Sequence, residues 1–148
     1  MPNTPQFRAL RPASQLASAV KRSNKKTGGR AEVTLRHLLW ECGLRYRKSG
    51  CGLPGKPDIV FIRDRVAVFV DGDFWHGRDW PSRRAALARG ANAFYWIAKI
   101  EYNRVRDDLT NARLATLGWT VLRLWETDVL RDPVAAVATV EKHLSQLG

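Results

Sequence analysis

An α/β fold with helices packed on a mixed sheet is predicted by three features of the 148-residue chain. Two short β-branched runs flank a charged turn, and a long stretch of helical periodicity follows. A third apolar run then stands between two helical patterns.

Each element has its own justification. Residues 1–30 hold three prolines, little apolar periodicity and the Thr27-Gly28-Gly29 break, so they are expected to form a flexible basic arm, with one domain over 31–148. From Ala31 to about Cys42, Val33, Leu35, Leu38, Leu39 and Cys42 recur at helical spacing, and Gly43 supplies the stop. Residues 44–57 contain Gly50, Gly52, Pro54, Gly55 and Pro57 and read as a turn-rich approach. The runs Ile59–Ile62 and Val66–Val70 then form a hairpin across Arg63-Asp64-Arg65. Both are nearly continuous in apolar residues, which predicts a sheet covered on both faces. Residues 71–91 are rich in Asp, Arg, Gly and aromatics and are expected to be a long loop. A helix over roughly 92–117 follows, with Phe94, Ile97, Ile100, Val105, Leu109, Ala112 and Leu114 along one broad stripe, ended by Gly118. Trp119 to Trp125 is the third strand, and a last helix over about 133–147 opens with Pro133 in its first turn, where a missing N–H costs nothing.

Composition narrows the function. Twenty-five Lys and Arg against fourteen Asp and Glu give a net charge of +11, and residues 1–30 carry seven of those cations and no acid. A basic arm on a basic domain points to a polyanion, above all nucleic acid, because each neutralised phosphate releases condensed counterions. The alternative is a solubilising tail. An apolar fraction of 45% argues against wholesale disorder, and a chain of this length hides roughly two-thirds of its unfolded surface. No apolar run approaches the ~18 residues of a membrane span, and no apolar segment follows the basic N-terminus as a secretory signal requires. Cys42 and Cys51 cannot make a disulfide framework or a four-thiolate zinc site. A soluble intracellular protein is expected.

Chemistry concentrates at strand ends. Asp58 opens the first strand of the hairpin and Asp71 closes the second, so the short turn forces both carboxylates to one end of the sheet. Converging carboxylates repel and invite a hard cation with oxygen ligands, Mg²⁺ above all, which would polarise a phosphodiester and acidify an attacking water. Each Asp read alone is equally an ordinary cap. The run Asp71-Gly72-Asp73-Phe74-Trp75-His76-Gly77-Arg78-Asp79-Trp80 packs three acids, an imidazole and three aromatics into ten residues. As a histidine, His76 is a candidate to take a proton from water, or it is a hydrogen-bonded surface histidine. Glu32 is placed by sign for the dipole of the first helix, and its functional reading is a carboxylate that orients His76 or a metal-bound water. Phe74 and Trp75, joined by Trp96, are candidates for wedging between base pairs, against the alternative of core packing.

These residues resemble, in order and spacing, the very short patch repair (Vsr) endonucleases, a branch of the PD-(D/E)xK nuclease superfamily. The matching pieces are Arg22-Ser23, Glu32, Leu53-Pro54-Gly55-Lys56-Pro57-Asp58, Val68-Phe69-Val70-Asp71-Gly72, Phe74-Trp75-His76-Gly77, Phe94-Tyr95-Trp96 with Lys99-Ile100, Asn103, Arg106-Asp107, Leu117-Gly118-Trp119 and Trp125-Glu126, covering roughly residues 22–130.

The resemblance implies a restriction-endonuclease-like three-layer α/β/α sandwich with a mixed central sheet. It implies a Mg²⁺-dependent endonuclease, with Mn²⁺ able to substitute, that nicks one strand of duplex DNA beside a T:G mismatch by metal-activated water. Asp58 would bind the metal together with the backbone carbonyl of Val70, a position where family members often carry Thr, and Asp71 is an extra acid available to it. His76 matches the catalytic histidine and Glu32 the glutamate that supports it. Phe74, Trp75 and Trp96 match the aromatic wedge, and Lys99 and Asn103 match residues that face the mismatched bases. Arg22, Lys25 and Lys26 would contact DNA from the arm, although the family's Arg-Ser-x-x-Met arm pattern is altered here to Arg22-Ser23-Asn24-Lys25-Lys26. Where the family carries the cysteines of a structural zinc, this chain has Asp73, the Arg78-Asp79-Trp80 stretch and Thr127, so no zinc is expected. Packing, with Trp80 a candidate, or salt bridges must then order the loop. A monomer acting on double-stranded DNA in the bacterial cytoplasm, at the nucleoid, is expected. The alternatives are a restriction-like or homing-type nuclease with another DNA target, and an inactive DNA-binding module.

Overall fold

The structure, a computed structural model, describes residues 29–48 and 51–147, so Arg22, Lys25, Lys26 and most of the expected arm lie outside the described residues. In chain order the elements are α1 (Arg30–Glu41), β1 (Arg47–Lys48), β2 (Ile59–Phe61), β3 (Val66–Asp71), α2 (Trp80–Ala88), α3 (Ala93–Thr116), β4 (Thr120–Trp125), α4 (Glu126–Arg131) and α5 (Pro133–Leu147). The described residues fall into two compact units. Residues 73–108 make one, and the described residues of 29–72 with 109–147 make the other.

The second of these, the sheet unit, is built on four strands in the order β1-β2-β3-β4. β1 and β2, and β2 and β3, pair antiparallel, while β3 and β4 pair parallel. Side chains alternate across this sheet with the period of two that a pleated strand imposes. Val66, Val68 and Val70 of β3, with Ile59, Phe61 and Leu122, join a core formed with Leu35 and Leu39 of α1, Val129 of α4 and Val137 and Val140 of α5. Ala67 and Phe69 turn the other way and pack with Leu114 of α3, Trp119 and Val121. Burial on both faces is the reason the strand sequences are almost uninterrupted in apolar residues. Gly43 stops α1 with a φ of +85°, a left-handed conformation that glycine adopts without a Cβ clash, and its N–H donates to Trp40 O.

The other, the aromatic unit, corrects the sequence expectation in two places. The loop expected over 71–91 contains α2, whose Pro81 sits in the first turn and whose Ala85-Ala86-Leu87-Ala88 run favours helix. The stripe expected on α3 is also displaced. Phe94 is 76% exposed and Val105 and Leu109 are exposed as well, while Tyr95, Trp96, Ile100 and Asn103 are buried. Positions 96, 100 and 103 share one face of a 3.6-residue helix, and Asn103 belongs to that face despite its polarity. β1 and α4 were not expected at all. The two residues of β1 are both charged, and α4 is little more than a turn and a half. Among the described residues no helix is long and apolar enough to cross a membrane.

Candidate active site

The hairpin register brings the acids of the sheet unit together. Ile59 pairs with Val68, and the N–H of Asp58 donates to Val68 O, so Asp58 lies beside the end of β3. The N–H of Val70 in turn donates to Asp58 Oδ2 at 2.7 Å. Glu32, in the first turn of α1, hydrogen-bonds Asp58 through its side chain, and Asp71 bears on it through its charge. Burial, above all, raises the Asp58 carboxyl from its usual 3.8 to about 7. The Val70 N–H opposes this, while the Glu32 hydrogen bond and the charges of Glu32 and Asp71 add to it. Asp71 is 5% exposed and is gripped by Arg123, whose Nη1 lies 3.0 Å from both carboxylate oxygens. Arg123 also donates to Asn111 Oδ1 and stacks on Phe69. Glu32 is ion-paired with Arg36 at 3.1 Å. These are oxygen donors carrying more negative charge than their cations offset, a set that fits a hard divalent cation.

In the aromatic unit, His76 Nδ1 lies 2.5 Å from Asp107 Oδ2. A carboxylate there accepts a hydrogen bond from Nδ1–H and leaves the basic lone pair on Nε2. The carboxylate on the imidazole is Asp107, and within the sheet unit Glu32 is paired with Arg36 and Asp58. Gly77 has a φ of +68°, and a Cβ there would sit 2.9 Å from Ile100 and 2.8 Å from Arg104, so only glycine lets this turn lie against α3. Trp75 and Trp96 are 8% and 4% exposed and pack with Tyr95, Phe74 and Leu87. Their rings meet at 5.4–5.6 Å with Phe74 edge-on to both. Asn103 donates to Trp75 O at 3.0 Å, and Lys99 Nζ stands 5.1 Å from the Trp75 ring centre. The three wedge candidates are therefore packed against one another, Phe74 being the most accessible.

The positions where zinc ligands were expected to be lost hold other contacts. Arg78 bridges to Asp73 at 3.0 Å and its N–H donates to Asp73 O. Trp80 is buried, with the Arg104 guanidinium 5.9 Å from its ring centre. An ion-paired aspartate, an arginine and a threonine offer neither thiolate nor imidazole and do not fit a structural zinc.

Two residues of these contacts have little or no local sequence signature for their role. Asp107 is 31 residues from His76, and nothing local ties the two together. Arg123 carried a signal, a lone cation inside the apolar run Val121-Leu122-Arg123-Leu124.

Clustered carboxylates on a mixed α/β scaffold and, in the aromatic unit, a carboxylate-held histidine are groups of the kind a metal-assisted hydrolase uses. The profile of the family described as DNA mismatch endonuclease Vsr matches residues 13–82. The chain is 45% identical over 120 residues to the Type II nicking enzyme V.NmeDIP of Neisseria meningitidis serogroup C, covering 81% of this chain and 80% of that one. It is 40% identical to the Type II nicking enzyme V.HpaIIP of Haemophilus parainfluenzae, over 88% of this chain and 91% of the relative. It is 37% identical to the DNA mismatch endonuclease Vsr of Escherichia coli (strain K12), over 64% and 59% respectively. The chain belongs to the Vsr family and is a DNA endonuclease that hydrolyses phosphodiester bonds.

Proposed function

We propose that the chain nicks one strand of duplex DNA beside a T:G mismatch in a Mg²⁺-dependent reaction, on the restriction-endonuclease-like three-layer α/β/α scaffold of its superfamily. The observation that carries the metal assignment is Asp58, hydrogen-bonded to Glu32 and pressed by the charge of Asp71. A divalent cation held by Asp58, the Val70 carbonyl and Asp71 would supply positive charge against the scissile phosphate and acidify water. Mn²⁺, with the same preference for oxygen, would substitute. His76 accepts a proton at Nε2 while Asp107 keeps the imidazole in the required tautomer. Glu32 shares the negative charge of the site with Asp58 and holds Arg36 alongside.

The same proposal gives Phe74 the leading edge of a wedge backed by Trp75 and Trp96. Lys99 and Asn103 meet the mismatched bases, and Arg22, Lys25 and Lys26 meet phosphates. The protein acts as a monomer in the cytoplasm, at the nucleoid. A second reading, favoured by the relatives named as nicking enzymes, is a nuclease that cuts a different DNA target. Cleavage of end-labelled duplexes bearing each mismatch, beside a matched control, with and without Mg²⁺, separates these readings. Preferential nicking of T:G supports the proposal. Equal cutting of matched duplex favours the second reading, and no cutting at all leaves a binding module.

A further inference from the structure

An open groove of about 520 Å³ runs along α1 and β1 in the sheet unit, lined by Arg36, His37, Trp40, Glu41, Tyr46 and Lys48. Its centre is an indole that is 51% exposed yet contacted on a face and an edge. The Arg45 guanidinium covers one face of Trp40 at 3.7 Å from the ring centre and is itself fixed by donating to Trp40 O and Leu44 O. Tyr46 meets the ring edge-on at 5.9 Å, with its hydroxyl donating to Arg36 O and its own ring packed edge-on to Phe61. An aromatic braced on one face and one edge, and open elsewhere, is a stacking platform prepared before any ligand arrives.

The surroundings select the ligand. Arg36, ion-paired with Glu32 at 3.1 Å, and Lys48 bring positive charge to the platform, against the one carboxylate of Glu41 in the lining. A flat ring with an attached anion suits the open indole and the two cations beside it. An added protein strand is a poorer fit, because β1 is two residues long and both are charged, which discourages edge pairing. Glu32, Arg36 and Trp40 follow one another at intervals of four along α1, so the groove begins one turn from the carboxylates and Trp40 stands about 12 Å beyond Glu32.

We propose that this groove is a subsite for an unpaired nucleotide of the DNA substrate, whose base stacks on Trp40 while its phosphate meets Arg36 and Lys48. The proposal rests on the chain being a DNA endonuclease. It concerns α1 and β1, not the aromatic cluster around Trp75.

The test uses the full chain and three fluorescent probes: an oligothymidylate, a duplex with one unpaired thymine, and the fully paired duplex. Trp40→Ala is expected to weaken binding of the first two about tenfold and of the paired duplex by less than about twofold, with Trp40→Phe restoring most of the loss because it keeps a π face. Lys48→Ala should shallow the salt dependence of oligothymidylate binding by about 0.7 of a unit, the signature of one phosphate contact. If Trp40→Ala melts far below wild type, the Trp40→Phe and Lys48→Ala results decide. Unchanged affinity in all variants, or equal loss on paired and unpaired DNA, overturns the subsite. Mg²⁺-dependent nicking by the same preparations reads the endonuclease assignment separately. Intact nicking with unaltered binding sinks the subsite alone, whereas groove-dependent binding without nicking sinks the endonuclease reading alone.

Discussion

In the sheet unit Asp58 is held by a backbone N–H at 2.7 Å from an adjacent strand, whereas in the aromatic unit His76 is held by another side chain, Asp107, at 2.5 Å. The two arrangements answer different demands. Carboxylates that repel one another need a scaffold that does not yield, and a hydrogen-bonded ladder buried on both faces provides it. A histidine that must exchange a proton needs its tautomer set rather than its charge resisted, and one carboxylate does that. The sheet unit should therefore tolerate changes to its reactive side chains and lose only chemistry. The aromatic unit, ordered by ring packing, should lose structure when a ring is removed.

The largest expected effect is at Asp58. Asp58→Ala removes a metal ligand and not a phosphate contact, so nicking should fall by about 10³-fold or more with DNA binding largely retained. Nicking near the wild-type rate would remove Asp58 from the chemistry. His76→Ala should lower the single-turnover rate by about 10²–10⁴-fold, and Asp107→Asn by less, about tenfold or more, since the ring remains but its orientation relaxes. An Asp107→Asn variant as fast as wild type would mean that the 2.5 Å contact has no part in catalysis.

The contrast is sharpened by truncating rings. Trp75→Ala should cost about 3–5 kcal/mol in denaturant unfolding, as loss of a buried aromatic does. The partly buried Phe74→Ala should cost about 1–2 kcal/mol and mainly shrink the preference for mismatched over matched DNA. A Trp75→Ala protein as stable as wild type but without mismatch preference would move Trp75 from packing to DNA contact.

The subtlest effect is on stability against pH. Because the folded Asp58 carboxyl is raised to about 7 from 3.8, the folded state holds this proton more tightly than the unfolded chain. Its contribution is greatest below about 3.8, declines as pH rises, and is gone above about 7. Asn keeps an acceptor for the Val70 N–H and a donor for Glu32 without the titration. Asp58→Asn should thus match wild type at low pH and exceed it increasingly toward neutrality, by on the order of 2–4 kcal/mol. A pH-independent gap in metal-free buffer would contradict the origin given for the shift.

Much of the sheet unit was legible in the sequence because its determinants are local. A short turn, the four residues Ile62 to Arg65 between β2 and β3, fixes the register, and the register alone sets Asp58 beside the end of β3. The aromatic unit was harder to read. The arginines of residues 78–89 hid a helix whose alanines and Pro81 were visible, and without α2 the Phe74-Trp75 pair looks like part of a polar loop. Asp107 lies 31 residues from His76, and their meeting depends on how α3 packs on the Trp75-His76-Gly77 turn. The Arg123 cation stood out within β4, but its partner follows only from the parallel pairing that sets Asp71 opposite Trp125. Local pattern reports elements and strand ends, while contacts made between elements are set by packing that no short window contains.

The most direct measurement of the carboxylate cluster as a cation site is the melting temperature at pH 8 with and without millimolar Mg²⁺, for wild type and Asp58→Asn. At that pH Asp58 has released its proton, and a cation bound only to the folded state raises stability by mass action. The expected result is a rise of several degrees for wild type and almost none for Asp58→Asn. An equal rise in both proteins, or none in wild type, would contradict the proposal that Asp58, the Val70 carbonyl and Asp71 hold the metal.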